Sequence, residues 1–347
     1  MTDKTYESIM QNIQSALTGD RKHDFEYLTT QIEQYKKHEY GKEIIRECGR
    51  MLYNMFSDEE KAKVSAAQAK EDAVLEEELE RFSSLMCKGE YENALSVIAP
   101  LAEKADEMVA NGIFQDDKVN EYYCFNELFE EVLYYAKTDT EKSIRHPSFP
   151  FATIYLYYGS VLIDLRRYEE ATTALEKAVR WNPSSADFIF ELAETWKYRG
   201  NHDKFLELTI KAFDIAFTPA TVARCYRNLG FYFSEKRQWN MAAGCIVYSL
   251  EFAPDDQVAK QEMNYIEHMS DKPIKIPEFD EFHRVADQYG FPTGPSNEVI
   301  QIAQDYANYY LNSGKKDYAV YFLKILYDLT EDEKVKNILD DILGETN

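Results

Sequence analysis

The chain has 347 residues, of which 45% are hydrophobic, so it can form a substantial core and is not an intrinsically disordered protein. It carries 39 Lys and Arg against 62 Asp and Glu, and a surface with a formal charge of -23 repels nucleic-acid backbones and anionic membranes. Gly and Pro number only 13 and 10, which favours long helices and predicts an all-α fold.

The first residues and the cysteines indicate the cellular compartment. The segment MTDKTYESIMQNIQSAL has acids near its start and lacks the apolar stretch of a signal peptide, and no run approaches the roughly 20 apolar residues of a membrane span. The cysteines occur singly, without a CxxC pair, as expected of reduced and mostly packed thiols. We therefore expect a cytoplasmic protein that binds neither nucleic acid nor membrane.

Residues 1–66 form an N-terminal helical region in this prediction. Two helix-like runs, FEYLTTQIEQYKK and KEIIRECGRMLYNMF, meet at a hinge near Tyr40 and Gly41. We interpret them as a repeat-like helix pair. No basic recognition helix occurs in this region, which disfavours direct DNA binding.

Residues 67–150 are predicted to contain degenerate copies of the helix pairs found further along the chain. We interpret the acidic run EDAVLEEELE, residues 71–80, as the exposed first turn of a long helix, where the helix dipole favours acids; a site for a cation or a basic partner is the alternative. In the next stretch Phe82 occupies a position that usually holds a small residue. The run NEYYCFNELFEEVLYYAK then predicts one well-buried helix.

Residues 151–269 contain an internal repeat. Its first copy recurs 71 residues later with identical internal spacing, and a weaker copy lies 34 residues after the first. A match of several residue classes at one offset indicates a solenoid of helix pairs, with three repeats in this region. The matched residues are Gly159, Ala171, Leu175, Ala178 and Pro183, followed by Gly230, Ala242, Ile246, Ser249 and Pro254.

The small residues of the repeat are predicted to be structural. We expect Gly159 and Ala171 to face each other where two helices cross, because a large side chain there would push the helices apart. Ala178 should meet the next repeat, and Pro183 should end the second helix because proline cannot continue it. Gly230, Ala242 and Pro254 are expected to have the same roles one long period later.

The motif YYGSVLIDLRRYEEATTALEKAVRWNP and its echo RNLGFYFSEKRQWNMAAGCIVYSLEFAP resemble the tetratricopeptide repeat, a unit of about 34 residues of helix, turn and helix. The resemblance implies a right-handed α-solenoid that binds a protein or peptide segment along the concave wall formed by its first helices. Family members that grip a chaperone's C-terminal carboxylate use lysine, asparagine and basic residues at set places. Here only Arg224 matches them, since Leu156, Ser160 and Glu191 occupy the others, so we do not expect that clamp.

The array is interrupted and then resumes towards the C-terminus. Residues 270–297 hold four prolines around one short helix, and they are either a wedge that packs inside the superhelix or a hinge between two lobes. Residues 298–347 repeat the spacing once more. They end in LTEDEKVKNILDDIL, which predicts a C-terminal capping helix with Thr330 and Glu333 as its capping box.

Signatures of catalysis are missing from the sequence. The six histidines form neither HExxH nor a His/Cys cluster of metal-ligand spacing, and no GxSxG or GxxxxGK motif occurs. We therefore predict no catalytic, cofactor-binding or metal-binding residues. The preferred interpretation is a non-catalytic scaffold, a monomer or weak homo-oligomer. A bacterial peptide-responsive regulator, whose N-terminal helices act on a target protein, is the alternative.

The predicted binding wall follows from the register that Gly159 sets. Arg224 and Arg227 contrast with the acidic surface and suit an acidic or carboxylate-bearing segment; salt bridges to Glu191 or Glu194 are the structural alternative. The candidate partner-binding residues are Phe190, Glu194, Lys197, Tyr198, Arg224, Arg227 and Phe231.

Overall fold

The computed structural model describes residues 5–344, in which helices joined by turns and loops predominate and two short strands occur. The predicted all-α repeat architecture is confirmed. The helices of the described residues are α1 (Tyr6–Ser15), α2 (Arg21–Tyr35), α3 (Gly41–Asn54), α4 (Asp58–Cys87), α5 (Tyr91–Ala110), α6 (Leu128–Thr138), α7 (Phe151–Asp164), α8 (Tyr168–Trp181), α9 (Ala186–Tyr198), α10 (His202–Phe213), α11 (Pro219–Glu235), α12 (Trp239–Phe252), α13 (Gln257–Met269), α14 (Phe279–Tyr289), α15 (Asn297–Asn312), α16 (Lys316–Thr330) and α17 (Glu333–Gly344). The strands are β1 (Asn120–Tyr122) and β2 (Ser143–Arg145).

The chain divides into two compact units. Unit 1 comprises Met1–Tyr123 and Thr140–Phe149, and unit 2 comprises Cys124–Asp139 and Pro150–Asn347. Unit 2 resumes at Pro150, and the boundary drawn from the sequence lies between residues 150 and 151. The boundary drawn at residue 66 falls inside α4, a continuous helix of 30 residues.

In unit 1, α1 to α3 enclose a small core of their own. Ile9, Ile13, Leu28, Ile44 and Cys48 are almost fully buried in it. The helix pair α2 and α3 corresponds to the two runs read from the sequence, and the chain turns between them before Gly41. These three helices therefore pack around a local cluster of apolar side chains.

Helix α4 corrects the position of the acidic run. The helix starts at a capping box of Ser57 and Glu60, with acids in its first turn, so residues 71–80 lie in its middle. Of its 30 residues, only Phe82 is fully buried, where α4 packs on α5. The acidic run is thus mostly exposed, as expected, but the helix dipole does not explain its position.

The stretch predicted as one helix around residue 120 begins as a strand. Asn120 pairs with Ser143 and Tyr122 with Arg145 in a two-stranded parallel sheet, and helix begins only at Leu128. The carboxylate of Asp117 accepts hydrogen bonds from the backbone of Val119 and Asn120, which fixes a turn instead of a helix. The long helix predicted there is therefore wrong over its first part.

In unit 2, the glycines of the repeat mark close helix crossings. A Cβ atom added to Gly159 on α7 would overlap the Leu175 side chain on α8, and one added to Gly230 on α11 would lie 2.7 Å from Cδ1 of Ile246 on α12. The residue that faces Gly159 is thus Leu175, and not Ala171 as the sequence analysis expected. Ala171, Ala178 and Ala242 are fully buried.

The turn between the helices of each pair has one repeated geometry. One left-handed residue donates its N–H to the carbonyl three residues earlier, and the following N–H bonds the carbonyl five residues before itself. This geometry joins α4 to α5, α7 to α8, α9 to α10, α11 to α12 and α15 to α16, and it also ends α5 at Gly112. The left-handed residues are Gly89, Arg166, Gly200, Arg237 and Gly314.

The prolines end second helices by acting on the residue before them. Asn182, before Pro183, has φ -142° and ψ 82°, and Ala253, before Pro254, has φ -140° and ψ 76°. Steric contact with the proline ring disfavours helical angles at such positions. Both α8 and α12 therefore stop one residue earlier, and the chain turns into α9 or α13.

The proline-rich insert, residues 270–297, packs against α12. The ring of Phe282 on α14 stacks on Tyr248 with centroids 4.2 Å apart, and Pro277 lies against Gly244, where an added Cβ would come within 3.0 Å of its Cδ. The Tyr226 hydroxyl on α11 donates to the carbonyl of Pro292 at 3.2 Å. The insert thus lies within unit 2 and packs against α11 and α12.

Helix α17 follows the last pair and buries Val335, Leu339 and Ile342, as expected of a capping helix. The predicted capping box is not formed, because Thr330 is the last residue of α16 and Asp332 accepts the hydrogen bond from the backbone of Lys334. A capping helix is present, and its first turn is fixed by Asp332.

Helix α6 joins distant repeats of unit 2. Its Phe129 ring contacts Phe217 and Phe322 at centroid distances of 5.1 and 5.8 Å. The carboxylate of Glu130 accepts a hydrogen bond of 2.8 Å from the amide of Asn182. Residues from the first repeat to the last thus meet around one short helix.

Candidate functional site

The candidate site lies on the first helices of the repeats in unit 2. We call it the groove face and define it by the side chains that α9, α11 and the start of α13 contribute. The structure places Glu194, Lys197, Arg224, Arg227 and Phe231 there as partly exposed side chains, and Tyr198 is 52% exposed. Six of the seven predicted residues are therefore accessible from solvent.

Phe190 corrects the predicted set. Its side chain is fully buried, and the guanidinium of Arg224 lies 4.7 Å from the centre of its ring. One position along a helix turns the side chain by about 100°, so a small error in register moves a residue from surface to core. Phe190 is a packing residue that supports Arg224 from below.

Arg224 forms the salt bridge that was the structural alternative to ligand binding. Its Nη2 atom lies 2.8 Å from Oε1 of Glu191 on α9. The two side chains remain 27% and 29% exposed, so the pair links α9 to α11 without being closed off from solvent. Arg224 also lowers the pKa of Asp187, although burial, the larger effect, holds that pKa above its ordinary value.

Arg227 pairs with a residue that the sequence analysis did not name. Its partner is Asp256, the N-cap of α13, whose carboxylate also accepts hydrogen bonds from the backbone of Val258 and Ala259. The pair therefore ties α11 to the first turn of α13. A further pair on the groove face joins Lys197 to Glu194 at 3.1 Å.

Lys197 also covers an aromatic ring. Its Nζ lies 4.5 Å from the centre of the Phe231 ring on α11, a cation–π distance. Phe231 in turn contacts Phe205 edge-on at 5.4 Å. The exposed ring of Tyr198 stacks on Tyr168 at 5.1 Å. Two cations of the groove face, Lys197 and Arg224, thus each lie over a phenylalanine ring.

Glu262 on α13 is the residue that sequence reasoning missed. Burial raises its pKa to about 7, while Arg227 and Lys197 lower it and Asp256 and Glu194 raise it, which places all five groups together. Within residues 5–344, its Oε2 atom is buried and has no hydrogen-bond partner. The repeat could have identified it, because Glu262 follows Glu191 by the same 71-residue offset.

The described residues show two further absences. None of their His, Cys, Asp and Glu side chains form a group of three or more that could hold a metal ion. In the same part of the chain, each helix is too short or too polar to cross a lipid bilayer.

Comparisons with known proteins give structural matches alone. No family model and no curated protein matches the sequence. A tetratricopeptide repeat protein from Parabacteroides merdae is 10% identical over 97% of this chain and 98% of that chain, with a TM-score of 0.35. Cut9–Hcn1, a hetero-tetramer of APC/C, gives 14% identity over 99% of this chain and 64% of that chain, with a TM-score of 0.32.

A third solved structure is also a distant match. The C-terminal part of a TPR repeat-containing protein from Cytophaga hutchinsonii is 16% identical over 74% of this chain and 98% of that chain, with a TM-score of 0.29. Global similarity at this level is low, and the assignment rests on the repeated glycine crossings and the repeated turns of the chain itself. Two of these matches are tetratricopeptide repeat proteins, the family that the sequence resembles, and the chain has an all-α fold of repeated helix pairs.

Proposed function

We propose that this protein is a non-catalytic scaffold that binds a protein or peptide segment on the groove face. The observation that carries the proposal is the buried Oε2 atom of Glu262, which lacks a donor among the described residues. A buried acceptor without a partner costs free energy, and each such group calls for an explanation. A backbone N–H or an amine of a bound segment would supply the missing hydrogen bond.

The neighbouring side chains support a peptide as the ligand. Tyr198 is exposed and Phe231 is partly exposed beside Lys197, and aromatic residues contribute strongly to binding at protein interfaces. The exposed pair of Arg224 and Glu191 can exchange partners with an incoming carboxylate or amine. A mixed surface of this kind suits a segment that carries both polar groups and an apolar anchor.

Selection from a displayed library of random peptides on the full-length chain tests the proposal. We expect the selected peptides to bind Tyr198→Ala about tenfold more weakly than the native chain, because a stacked, exposed ring is lost. Glu262→Gln should also alter affinity, since the amide changes the acceptor that the peptide meets. Affinities are measured by fluorescence anisotropy.

Tyr309→Ala is the matched control, because Tyr309 is also exposed and also contacts a neighbouring tyrosine ring, in the last repeat. It should leave the affinity unchanged. Selected peptides that bind both groove variants as tightly as the native chain would refute the groove face as the binding site.

The remaining expectations from the sequence stay predictions. A cytoplasmic location is tested by fractionation of cells that produce the protein. Monomer or weak homo-oligomer is tested by light scattering at increasing concentration, where a strong dimer would double the mass at the lowest concentration measured.

A further inference from the structure

A second surface of different character lies in unit 1, between α4 and α5. A cavity of about 620 Å³ opens there and is lined by Val74, Leu75, Leu101, Met108, Ile113 and Phe149, among others. Its edges are exposed, since Val74 is 54% and Ile113 is 44% accessible. Exposed apolar side chains that line one cavity are unusual on a soluble surface and mark interaction sites.

The charge around this cavity selects the partner. Three acids, Glu71, Asp72 and Glu78, and two lysines, Lys70 and Lys104, line it. The helix that carries them has nine acids and four bases, counted over Asp58–Cys87. For Glu71, Glu76 and Glu77, no ion pair forms with any residue between 5 and 344, in contrast to the mutually paired charges of the groove face. The net negative charge beside the cavity therefore comes from the exposed acids of α4.

Shape favours a helix as the occupant. Two adjacent helices leave a groove between their surfaces, and an amphipathic helix can lay its apolar face into such a groove. The long α4 leaves one side without packing, since only Phe82 is fully buried over 30 residues. A second copy of this chain is disfavoured, because a net charge of -23 on each copy would oppose their association.

We propose that the groove between α4 and α5 binds a basic amphipathic helix from a partner protein. The apolar face of that helix covers Val74 and Ile113, and its lysines or arginines pair with the acids of α4. This surface is independent of the groove face in unit 2. The protein would thereby hold two partners of different chemistry at separate places.

The test uses a fluorescein-labelled peptide of about 18 residues in which leucines at helical spacing alternate with lysines. Its affinity for the full-length chain is measured by anisotropy and compared with that of a leucine–glutamate peptide of the same pattern. We expect the lysine peptide to bind and the glutamate peptide not to bind. Equal binding of both would overturn the charge argument.

Two substitutions separate docking from general attraction between charges. Val74→Asp and Ile113→Asp add negative charge, so a purely electrostatic contact would become tighter, whereas docking in the apolar groove should weaken by at least about tenfold. Ile276→Asp, at a side chain of similar exposure in unit 2, is the control and should not weaken binding. Circular dichroism checks that each variant remains folded.

Tighter or unchanged binding in the folded Val74→Asp and Ile113→Asp chains would refute the proposal. Light scattering tests whether a second copy of the chain occupies the groove. Concentration-dependent dimers of the native chain that disappear in Val74→Asp would show that a second copy occupies the groove, which would also overturn it.

Discussion

Helix α4 in unit 1 and helix α11 in unit 2 show two ways in which one chain stabilises its helices. Ten of the 17 residues of α11 are buried, and α10 and α12 pack against it. Only Phe82 is fully buried among the 30 residues of α4. Helix α4 instead has a capping box, acids in its first turn and many alanines, all of which favour a helix locally.

The two helices therefore differ in what stabilises them and in how much of their surface stays uncovered. Tertiary packing holds α11 in place and leaves the edges of the groove face available. Local sequence preferences stabilise α4, so a whole side of it can stay uncovered. The three tryptophans, Trp181, Trp196 and Trp239, all lie in unit 2, so their fluorescence monitors unit 2 while circular dichroism monitors both units.

The largest effect is expected where packing dominates. Leu175→Ala removes the fully buried side chain that faces Gly159, and we expect a loss of about 2 to 5 kcal/mol in the free energy of unfolding. Leu75→Ala on α4 should cost about 1 kcal/mol or less, because Leu75 is only partly buried. Urea unfolding followed by tryptophan fluorescence and by circular dichroism measures both. Equal losses would contradict the contrast between the helices.

A smaller effect, dependent on pH, is expected at Glu262. Its ordinary pKa of 4.5 is raised to about 7 in the folded chain, so the unfolded chain loses this proton first as the pH rises. The contribution of Glu262 to the free energy of unfolding is therefore largest below about pH 4.5. It falls between the two pKa values and stays low above pH 7.

Glu262→Gln removes that titration. The variant should be more stable than the native chain at pH 8, by up to about 3 kcal/mol, and no more stable at pH 4. Glu77→Gln on the exposed side of α4 is the control, with an expected change within about 0.5 kcal/mol. Urea unfolding at both pH values is the measurement. A constant difference between Glu262→Gln and the native chain would contradict the assigned titration.

The fold could be predicted because its signal is local and repeated. Gly159 and Pro183 act within one helix pair, and their copies appear at a fixed offset in the sequence. What failed depended on distant contacts. Arg227 pairs with Asp256 because α13 begins beside α11, which spacing along one helix cannot show.

The candidate site was predictable only in part for the same reason. Register alone placed Phe190 on the surface, whereas packing buries it beneath Arg224. Glu262 is one of 62 acids, so its type carried no signal, and its equivalence to Glu191 emerges only when the repeat is extended to α13. The acidic run of α4 is visible in the sequence. The apolar groove beside it is not, because it is formed with residues from α5 and from the segment that contains Phe149.

The smallest effect tests what the two units share, the left-handed turn between paired helices. Arg237 adopts φ 56° in unit 2, where a residue with a Cβ atom is disfavoured by about 1 kcal/mol relative to glycine. Arg237→Gly should therefore raise the free energy of unfolding by about that amount, and Gly200→Ala should lower it similarly.

Gly89→Ala makes the same change in unit 1. If the turn contributes equally in both units, circular dichroism will detect the cost of Gly89→Ala while tryptophan fluorescence, which monitors unit 2, will detect that of Gly200→Ala. A stabilising Gly200→Ala would show that this turn does not need its left-handed residue.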